Sequence, residues 1–134
     1  MGCDIHAFVE FKSGDEWNFY TEIDISRNYD LFEKIAGVRG NIDNALFPTG
    51  CLPGLPLDVS RTTYLHSINW GDDGHTHSCL YFDKLEIINK QFKIFDSKRE
   101  HFHHSDFFFG NSFLIKEEWP KFVQDLRLVF WFDN

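Results

Sequence analysis

The sequence is poor in methionine, in cysteine and in positive charge. Among its 134 residues are one Met and three Cys, and 13 Lys and Arg stand against 21 Asp and Glu, a net charge of −8. An odd, widely spaced set of cysteines predicts free thiols in a reducing compartment rather than a disulfide framework. The negative charge repels phosphate backbones and therefore disfavours non-specific nucleic-acid binding.

Long apolar runs are missing as well. The densest, residues 107–109 and 128–132, fall far short of the roughly 18 residues that a membrane-spanning helix needs. The first ten residues already contain Asp4, His6 and Glu10, which disagrees with a signal peptide. We therefore expect a soluble, cytoplasmic protein without membrane contact.

Aromatic residues are abundant: 16 Phe, 4 Trp and 4 Tyr make up 18% of the chain. Large, rigid side chains at this density predict an ordered hydrophobic core and exclude a disordered chain. The length is that of one domain, and no repeat or linker divides it. We expect a single domain over residues 1–134.

Both ends of the chain alternate as strands do. In the first strand Ile5, Ala7, Val9 and Phe11 share one face and Asp4, His6, Phe8 and Glu10 the other. The turn residues 13–15 predict a return strand with one face made by Trp17, Phe19, Thr21 and Ile23. Near the end of the chain, Leu126, Leu128, Phe130 and Phe132 alternate with Arg127, Val129 and Trp131, which predicts a closing strand.

Three short helices are predicted between these strands. The first runs from an Asn28 cap to Gly37, the second covers residues 83–93, and the third starts at Pro120 and ends by Asp125. Residues 39–61, rich in Pro and Gly, predict a long ordered loop. The expected fold class is α+β: an antiparallel sheet with the N-terminal hairpin and the C-terminal strand, two or three helices on one face, and loops on the other.

Three potential metal ligands alternate in the middle of the chain. In an extended segment His75, His77 and Cys79 point to the same side, and His66 is a fourth candidate. Such N and S donors suit Zn, and a divalent metal (Zn or Mn) is the expected cofactor if the site exists. The alternative is a loop with exposed histidines and a packed thiol, since H-x-H recurs by chance without C-x-x-C spacing.

Asp4 and His6 form a second pair, at the i, i+2 spacing that places both on one strand face. With His77 they are the candidate catalytic residues, for metal binding or proton transfer. The alternative is a solvated strand face, although Phe8 between His6 and Glu10 indicates partial cover.

An anion site is predicted near the first helix. Arg27, Asn28 and Tyr29 precede it and Arg39 follows it, so guanidinium groups and a helix N-terminus could hold a phosphate or carboxylate. The other candidate ligand-binding residues are Asp58, Ser60 and Trp131. The alternative is that Asn28 is only a cap, Tyr29 is core, and the arginines pair with nearby carboxylates.

A His-rich tract, residues 100–106, runs into the triple Phe at 107–109. It resembles a metal-binding or pH-sensing tract, although ordinary exposure of its histidines is the favoured interpretation. Its aromatic side chains must be buried in the core or in a partner, so the region from Phe102 to Phe109 is a predicted homo-oligomer contact.

Five segments of the chain together resemble a family of short proteins of bacteriophage and prophage genomes. They are residues 1–6 with Glu10, residues 27–32 with Val38 and Arg39, residues 54–60, residues 75–78, and residues 129–134. The resemblance implies a phage or prophage origin and a location in the host cytoplasm, without implying a reaction.

A weaker similarity is to calcineurin-like metallophosphoesterases. Their D-x-H, G-N-H-D/E and G-H-x-H signatures are partly matched, in the same order, by residues 4–6, 40–43 and 74–77. Ile42 replaces the catalytic His of the middle motif, and G-D-x-x-D is missing. The similarity indicates which groups could gather around a metal.

Two functions follow. The first is a phage accessory protein, with anti-defence as one such role, that binds a nucleotide-like or other anionic ligand or a host or defence protein. The alternative is a small metal-dependent phosphoester hydrolase in which Arg27 or Arg39 neutralises the phosphate. Binding is favoured because ligand-like residues are present but a complete catalytic set is not.

Overall fold

The fold is a four-stranded antiparallel sheet with helices on both faces. The computed structural model describes residues 2–45, 54–95 and 114–134. In chain order the elements are β1 (Asp4–Ser13), β2 (Glu16–Ile23), α1 (Tyr29–Ala36), α2 (Arg61–Trp70), β3 (Gly74–Tyr81), α3 (Phe82–Phe92) and β4 (Asp125–Asp133). Single 3-10 turns cover Ile42–Asn44, Gly71–Asp73 and Lys116–Glu118. The predicted α+β class is confirmed.

The first and last strands of the chain form the centre of the sheet. The strand order is β2-β1-β4-β3, and β1 pairs with β4 from Asp4 opposite Asp133 to Lys12 opposite Asp125. β1 and β2 form the predicted hairpin around Gly14, whose φ of 62° suits glycine. The sheet therefore places the start of the chain against its end.

One face of the sheet carries the main hydrophobic core. The alternating residues of β1 and β4 point here, and α1 and α3 cover them with Leu31, Phe32, Ile35, Leu85 and Ile88. The predicted core positions from Leu126 to Phe132 are all buried. Burying each such side chain contributes about 1.5–3 kcal/mol, so this face supplies most of the driving force for folding.

Helices α1 and α3 follow their predicted boundaries closely. Asn28 caps α1 by accepting a hydrogen bond from the Leu31 N–H at 3.2 Å, and Gly37 takes the left-handed conformation past its end (φ 70°). α3 begins and ends one residue before the predicted 83–93. Local signals were sufficient for both helices: the Asn28 cap for α1, and for α3 the carboxylates in its first turns, since no side chain caps its start.

The opposite face of the sheet is covered by α2, which the sequence did not predict. Expecting all helices on one face was therefore wrong. Phe8 and Glu10 of β1 are almost completely buried on this side, so a covering element is required. The α2 sequence conceals this role because its buried residues are the small polar Thr63 and Ser67, so the side of the helix that meets the sheet carries no apolar stripe.

Two further expectations were wrong. A register shift in β2 places Glu10 opposite Phe19 but Val9 opposite Thr21. Phe19 therefore lies on the α2 side and Thr21 on the core side, instead of sharing one face. Residues 120–125 form no helix, because Val123 N–H closes a turn on the Pro120 carbonyl at 3.0 Å and β4 then begins.

In the ranges that the structure describes, no helix is long and apolar enough to cross a membrane. The predicted oligomer contact from Phe102 to Phe109 lies outside the described residues, as does Cys51. Cys3 and Cys79 are buried free thiols, as expected.

Candidate ligand-binding site at the polar end of the sheet

Polar residues from remote parts of the chain meet at one end of the sheet. They meet because β1 and β3 begin there, β4 ends there, and the segment before α1 folds back over β1. We call this group the polar end; it consists of Cys3, Asp4, His6, Arg27, Tyr29, Arg39, His75, Asp133 and Asn134. It includes six of the predicted site residues.

Arg27 and Asp4 form an exposed bidentate ion pair. Arg27 Nε and Nη2 donate to Asp4 Oδ1 and Oδ2 at 3.0 and 3.1 Å, and the two side chains are 48% and 51% exposed. Hydrogen bonding to Arg27 holds the pKa of Asp4 below its usual value. A Cβ at Gly2 would lie 2.1 Å from Arg27 Nη1, so the guanidinium sits close to the backbone there.

Arg39 lies over the ring of Tyr29, with Cζ 5.6 Å from the ring centroid. Its φ of 59° is unusual for a residue with a side chain, and such conformations concentrate at functional sites. The Tyr29 hydroxyl accepts a hydrogen bond from the Cys3 N–H at 3.3 Å. Burial raises the pKa of the Cys3 thiol, although a hydrogen bond with Arg39 opposes this, so the thiol stays protonated at neutral pH.

His6 pairs with Asp133 across the two central strands. Its Nε2 lies 2.5 Å from Asp133 Oδ2, and the side chains are only 18% and 16% exposed. The imidazole also packs against Trp70 of α2, with ring centroids 4.1 Å apart. The partner of His6 is therefore Asp133, rather than Asp4 as the i, i+2 spacing suggested.

His75 and His77 do not share a strand face, contrary to expectation. β3 has a bulge between His75 and Ser78, and Thr76 within it has φ 54°. His75 stacks on Phe132 and its Nε2 lies 3.1 Å from Asn134 Oδ1. His77 stacks on Trp131 on the α2 side. Two residues spaced for one metal ion thus contact different sides of the sheet.

The remaining predicted metal ligands are also dispersed. His66, on α2, packs on Phe8 and Phe19 at centroid distances of 5.0 and 6.5 Å. Within the described residues, no three His, Cys, Asp or Glu side chains are grouped to hold a metal ion. Burial, and then the neighbouring His75, lower the pKa of His77, which therefore remains neutral at pH 7. A bound Zn or Mn remains a prediction.

Trp131 forms an inner wall rather than an exposed binding surface. It is fully buried, stacks on Phe8 at 4.9 Å, and lies between His6 and His77. Its indole N–H has no hydrogen-bond partner among the described residues. A Cβ at Gly74 would lie 3.4 Å from Trp131 Cδ1 and 3.2 Å from Trp70 Cβ, so glycine allows the close packing here.

Asp58 and Ser60 lie away from the polar end, at a buried ion pair. Arg127 Nε and Nη2 donate to Glu10 Oε1 at 2.9 and 2.7 Å, and Nη1 donates to Asp58 Oδ1 at 2.9 Å. The Ser60 N–H donates to Glu10 Oε2 at 3.0 Å, and its hydroxyl caps α2. These two predicted ligand residues fasten the loop before α2 to the sheet.

Arg127 and Glu10 are both fully inaccessible to solvent. The guanidinium also lies 3.9 Å from the centre of the Trp17 ring. Burial opposes the charge on Arg127, yet hydrogen bonds with Asp58 and Glu10 raise its pKa. Because the guanidinium of Arg127 and both carboxylate oxygens of Glu10 are bonded within the chain, this buried pair is structural.

A cavity of about 310 Å³ adjoins the polar end through Arg27. It lies between the segment before α1 and the end of α3. Its lining residues are Asp24, Ile25, Ser26, Arg27, Asn28, Leu31, Phe92, Lys93 and Ile94. Lys93 ends α3 with φ 53°. The cavity combines apolar side chains with two cationic side chains and one carboxylate, that of Asp24.

Sequence reasoning missed several residues of this region. Asp133 and Asn134 follow an apolar strand, and only the pairing of β1 with β4 places them beside His6 and His75. Trp70 was missed together with α2. Alternation placed Glu10 and Arg127 opposite the predicted core face of their strands. A charged residue inside an otherwise apolar strand was the signal that could have revealed their pairing.

Comparison with known proteins gives no match: no family model, no curated protein and no solved structure is similar to the chain.

Proposed function

We propose that the protein is a phage-type accessory protein that binds a small nucleotide-like or other anionic ligand at the polar end. The supporting observation is the placement of Arg27 and Arg39, two exposed guanidinium groups, beside the adjacent residues Asp4 and Cys3 where β1 begins. The chain carries a net charge of −8. Two arginines held together in such a chain mark the region where an anion is attracted.

The chemistry of these arginines suits phosphate. The Asp4 pair uses Nε and Nη2 of Arg27 and leaves Nη1 outside it. Because the pair is half exposed, water screens it, and a doubly charged phosphate can compete with Asp4 for the guanidinium. Arg39 is oriented by its backbone conformation and by Tyr29. Preorganised forks of this kind bind phosphate or carboxylate in bidentate geometry.

The neighbouring cavity sets the size of the ligand. A volume of about 310 Å³ is at the lower end of the range for small-molecule sites. Phe92 and Ile25 offer apolar contact for a base or another flat group, while Arg27 and Lys93 attract the charged part. A nucleoside monophosphate has the matching distribution of charge and apolar surface.

Isothermal titration calorimetry with AMP tests the proposal. We expect saturable binding to the wild type, and a loss of tenfold or more in affinity for Arg39→Gln, because a charge-assisted hydrogen bond is removed. Arg61→Gln is the matched control: it removes the same charge from an exposed position at the start of α2, and we expect unchanged affinity.

Titrations with adenosine and with inorganic phosphate separate the two parts of the ligand. Weaker binding of both than of AMP would support a site that uses arginines and cavity together. If neither AMP nor phosphate binds, or if the Arg39 and Arg61 variants lose affinity equally, the proposed site is wrong.

The hydrolase alternative remains a prediction, and no contact among the described residues favours it. Asp4 is paired with Arg27, His6 with Asp133, and His75 with Asn134. Metal analysis of protein purified without chelators tests it. Stoichiometric Zn or Mn, together with a melting temperature that falls on chelation, would favour the hydrolase over the binding protein.

A further inference from the structure

Helix α2 presents its apolar side chains outward. Tyr64, Leu65 and Ile68 are 48%, 41% and 50% exposed, whereas Thr63 and Ser67 are buried against the sheet. This is the reverse of an ordinary surface helix, which turns its apolar stripe to the core. The exposed residues follow the i, i+1, i+4 spacing of a single helix face, so they form one continuous patch.

Packing explains the inward residues but not the outward ones. The sheet beneath α2 already carries the large side chains of Phe8, Trp131 and Arg127, so the buried positions of the helix hold small residues. The larger His66 and Trp70 pack on Phe8 and His6 and stay partly exposed. Nothing in that arrangement requires leucine and isoleucine on the outside, where polar residues would serve the fold as well. Contiguous exposed apolar side chains of this kind mark interaction surfaces.

The charges at the two ends of α2 are opposite. Arg61 is exposed at its first residue, and Asp72 and Asp73 are exposed in the turn that follows its last. The face is therefore apolar in the middle, positive at one end and negative at the other. A second copy of the same helix, inverted, has the complementary order of charges.

We propose that two copies of this chain associate through the outer face of α2, with the two helices antiparallel. Across the two-fold axis, Arg61 of each protomer then faces Asp72 and Asp73 of the other, and the apolar patches cover each other. A closed two-fold contact requires a self-complementary surface, and this face meets that requirement. The inference is independent of ligand binding at the polar end.

The contact is small. A ten-residue helix is about 15 Å long, so the area buried falls below the roughly 800 Å² per partner of a standard stable interface. We therefore expect a dimer that dissociates on dilution in the micromolar range. Because ion pairs form at both ends of the helix pair, we also expect salt to weaken the dimer.

Sedimentation velocity over a concentration series tests the proposal. The wild type should shift from a species of 15.9 kDa towards one of twice that mass as its concentration rises into the high micromolar range. Leu65→Glu and Ile68→Glu should each keep the protein monomeric. Ile87→Glu is the control, because Ile87 is equally exposed (47%) but lies on α3.

Charge exchange tests the antiparallel arrangement. Arg61→Asp should weaken the dimer about tenfold, and so should the double change Asp72→Arg with Asp73→Arg. All three substitutions in one chain should restore the affinity, since the charges are then exchanged at both ends. A wild type that stays monomeric throughout, or a dimer that Leu65→Glu leaves intact, would overturn the proposal.

Discussion

The Arg127–Glu10 pair and the Arg27–Asp4 pair each join remote parts of this chain, and their surroundings differ completely. Arg127 and Glu10 lie in the middle of the sheet with no solvent exposure, whereas Arg27 and Asp4 lie at its end and are about half exposed. The buried pair is surrounded by Asp58, Ser60 and Trp17. The exposed pair borders an open cavity.

The comparison separates an ion pair that holds the fold from one that can exchange partners. A buried charge without its partner is costly, so the Arg127 pair stays closed in the folded protein. Water already solvates the Arg27 pair, so the anion that we propose as ligand would replace only a screened interaction. The same residue types therefore have different roles, and burial decides which.

The largest loss of stability is expected when the buried Arg127–Glu10 pair is broken. Arg127→Met leaves Glu10 buried without its cation and should lower the free energy of unfolding by about 3–5 kcal/mol. Urea denaturation followed by tryptophan fluorescence measures the loss. Combining it with Glu10→Leu should recover part of that stability, because the unpaired carboxylate is removed too. Equal losses for the single and double variants would contradict this account.

Breaking the exposed pair should cost little stability but should weaken ligand binding. Arg27→Gln should leave the midpoint of thermal unfolding close to that of the wild type, because the pair is screened. It should nevertheless weaken AMP binding, since a guanidinium at the polar end is lost. A large fall in the melting temperature, comparable to that of Arg127→Met, would show that the two pairs are not distinct.

A smaller, pH-dependent effect is expected at His77. Burial lowers its pKa in the folded state below 6.5, so the unfolded chain takes up more protons as the pH falls through about 6.5. Stability should be complete above that pH and should decrease below it, by at most about 1.4 kcal/mol per pH unit. Denaturation curves between pH 8 and 5, in HEPES and MES buffers without phosphate, measure this; the range brackets the unfolded pKa by about 1.5 units. His77→Gln should show a shallower decrease, and an unchanged slope would argue against the assignment.

Sequence patterns that span only a few residues predicted the strands and helices that are determined by their own sequence. Alternation in β1 and β4 and the caps of α1 identified those elements and their buried faces. α2 was missed because its helical face is determined by the side chains beneath it rather than by its own hydrophobic pattern. Tertiary packing here overrides local preference.

The candidate site was predicted in part for a similar reason. Arg27, Tyr29 and Arg39 carried chemical signals near one helix, and the structure places them around Cys3 and Asp4. Strand alternation placed His75 and His77 together, and a single extra residue in β3 separated them. Bulges and strand register depend on partners far along the sequence, so a short motif does not reveal them.

Two-dimensional amide NMR of the wild type, titrated with AMP, tests the central claim most directly. If the polar end binds the anion, the largest shifts should fall on residues 3–6, 26–29 and 39 and on Lys93, while the amides of Glu10, Ser60 and Arg127 stay unchanged. Shifts centred on the buried Arg127 pair, or no shifts at millimolar AMP, would contradict it.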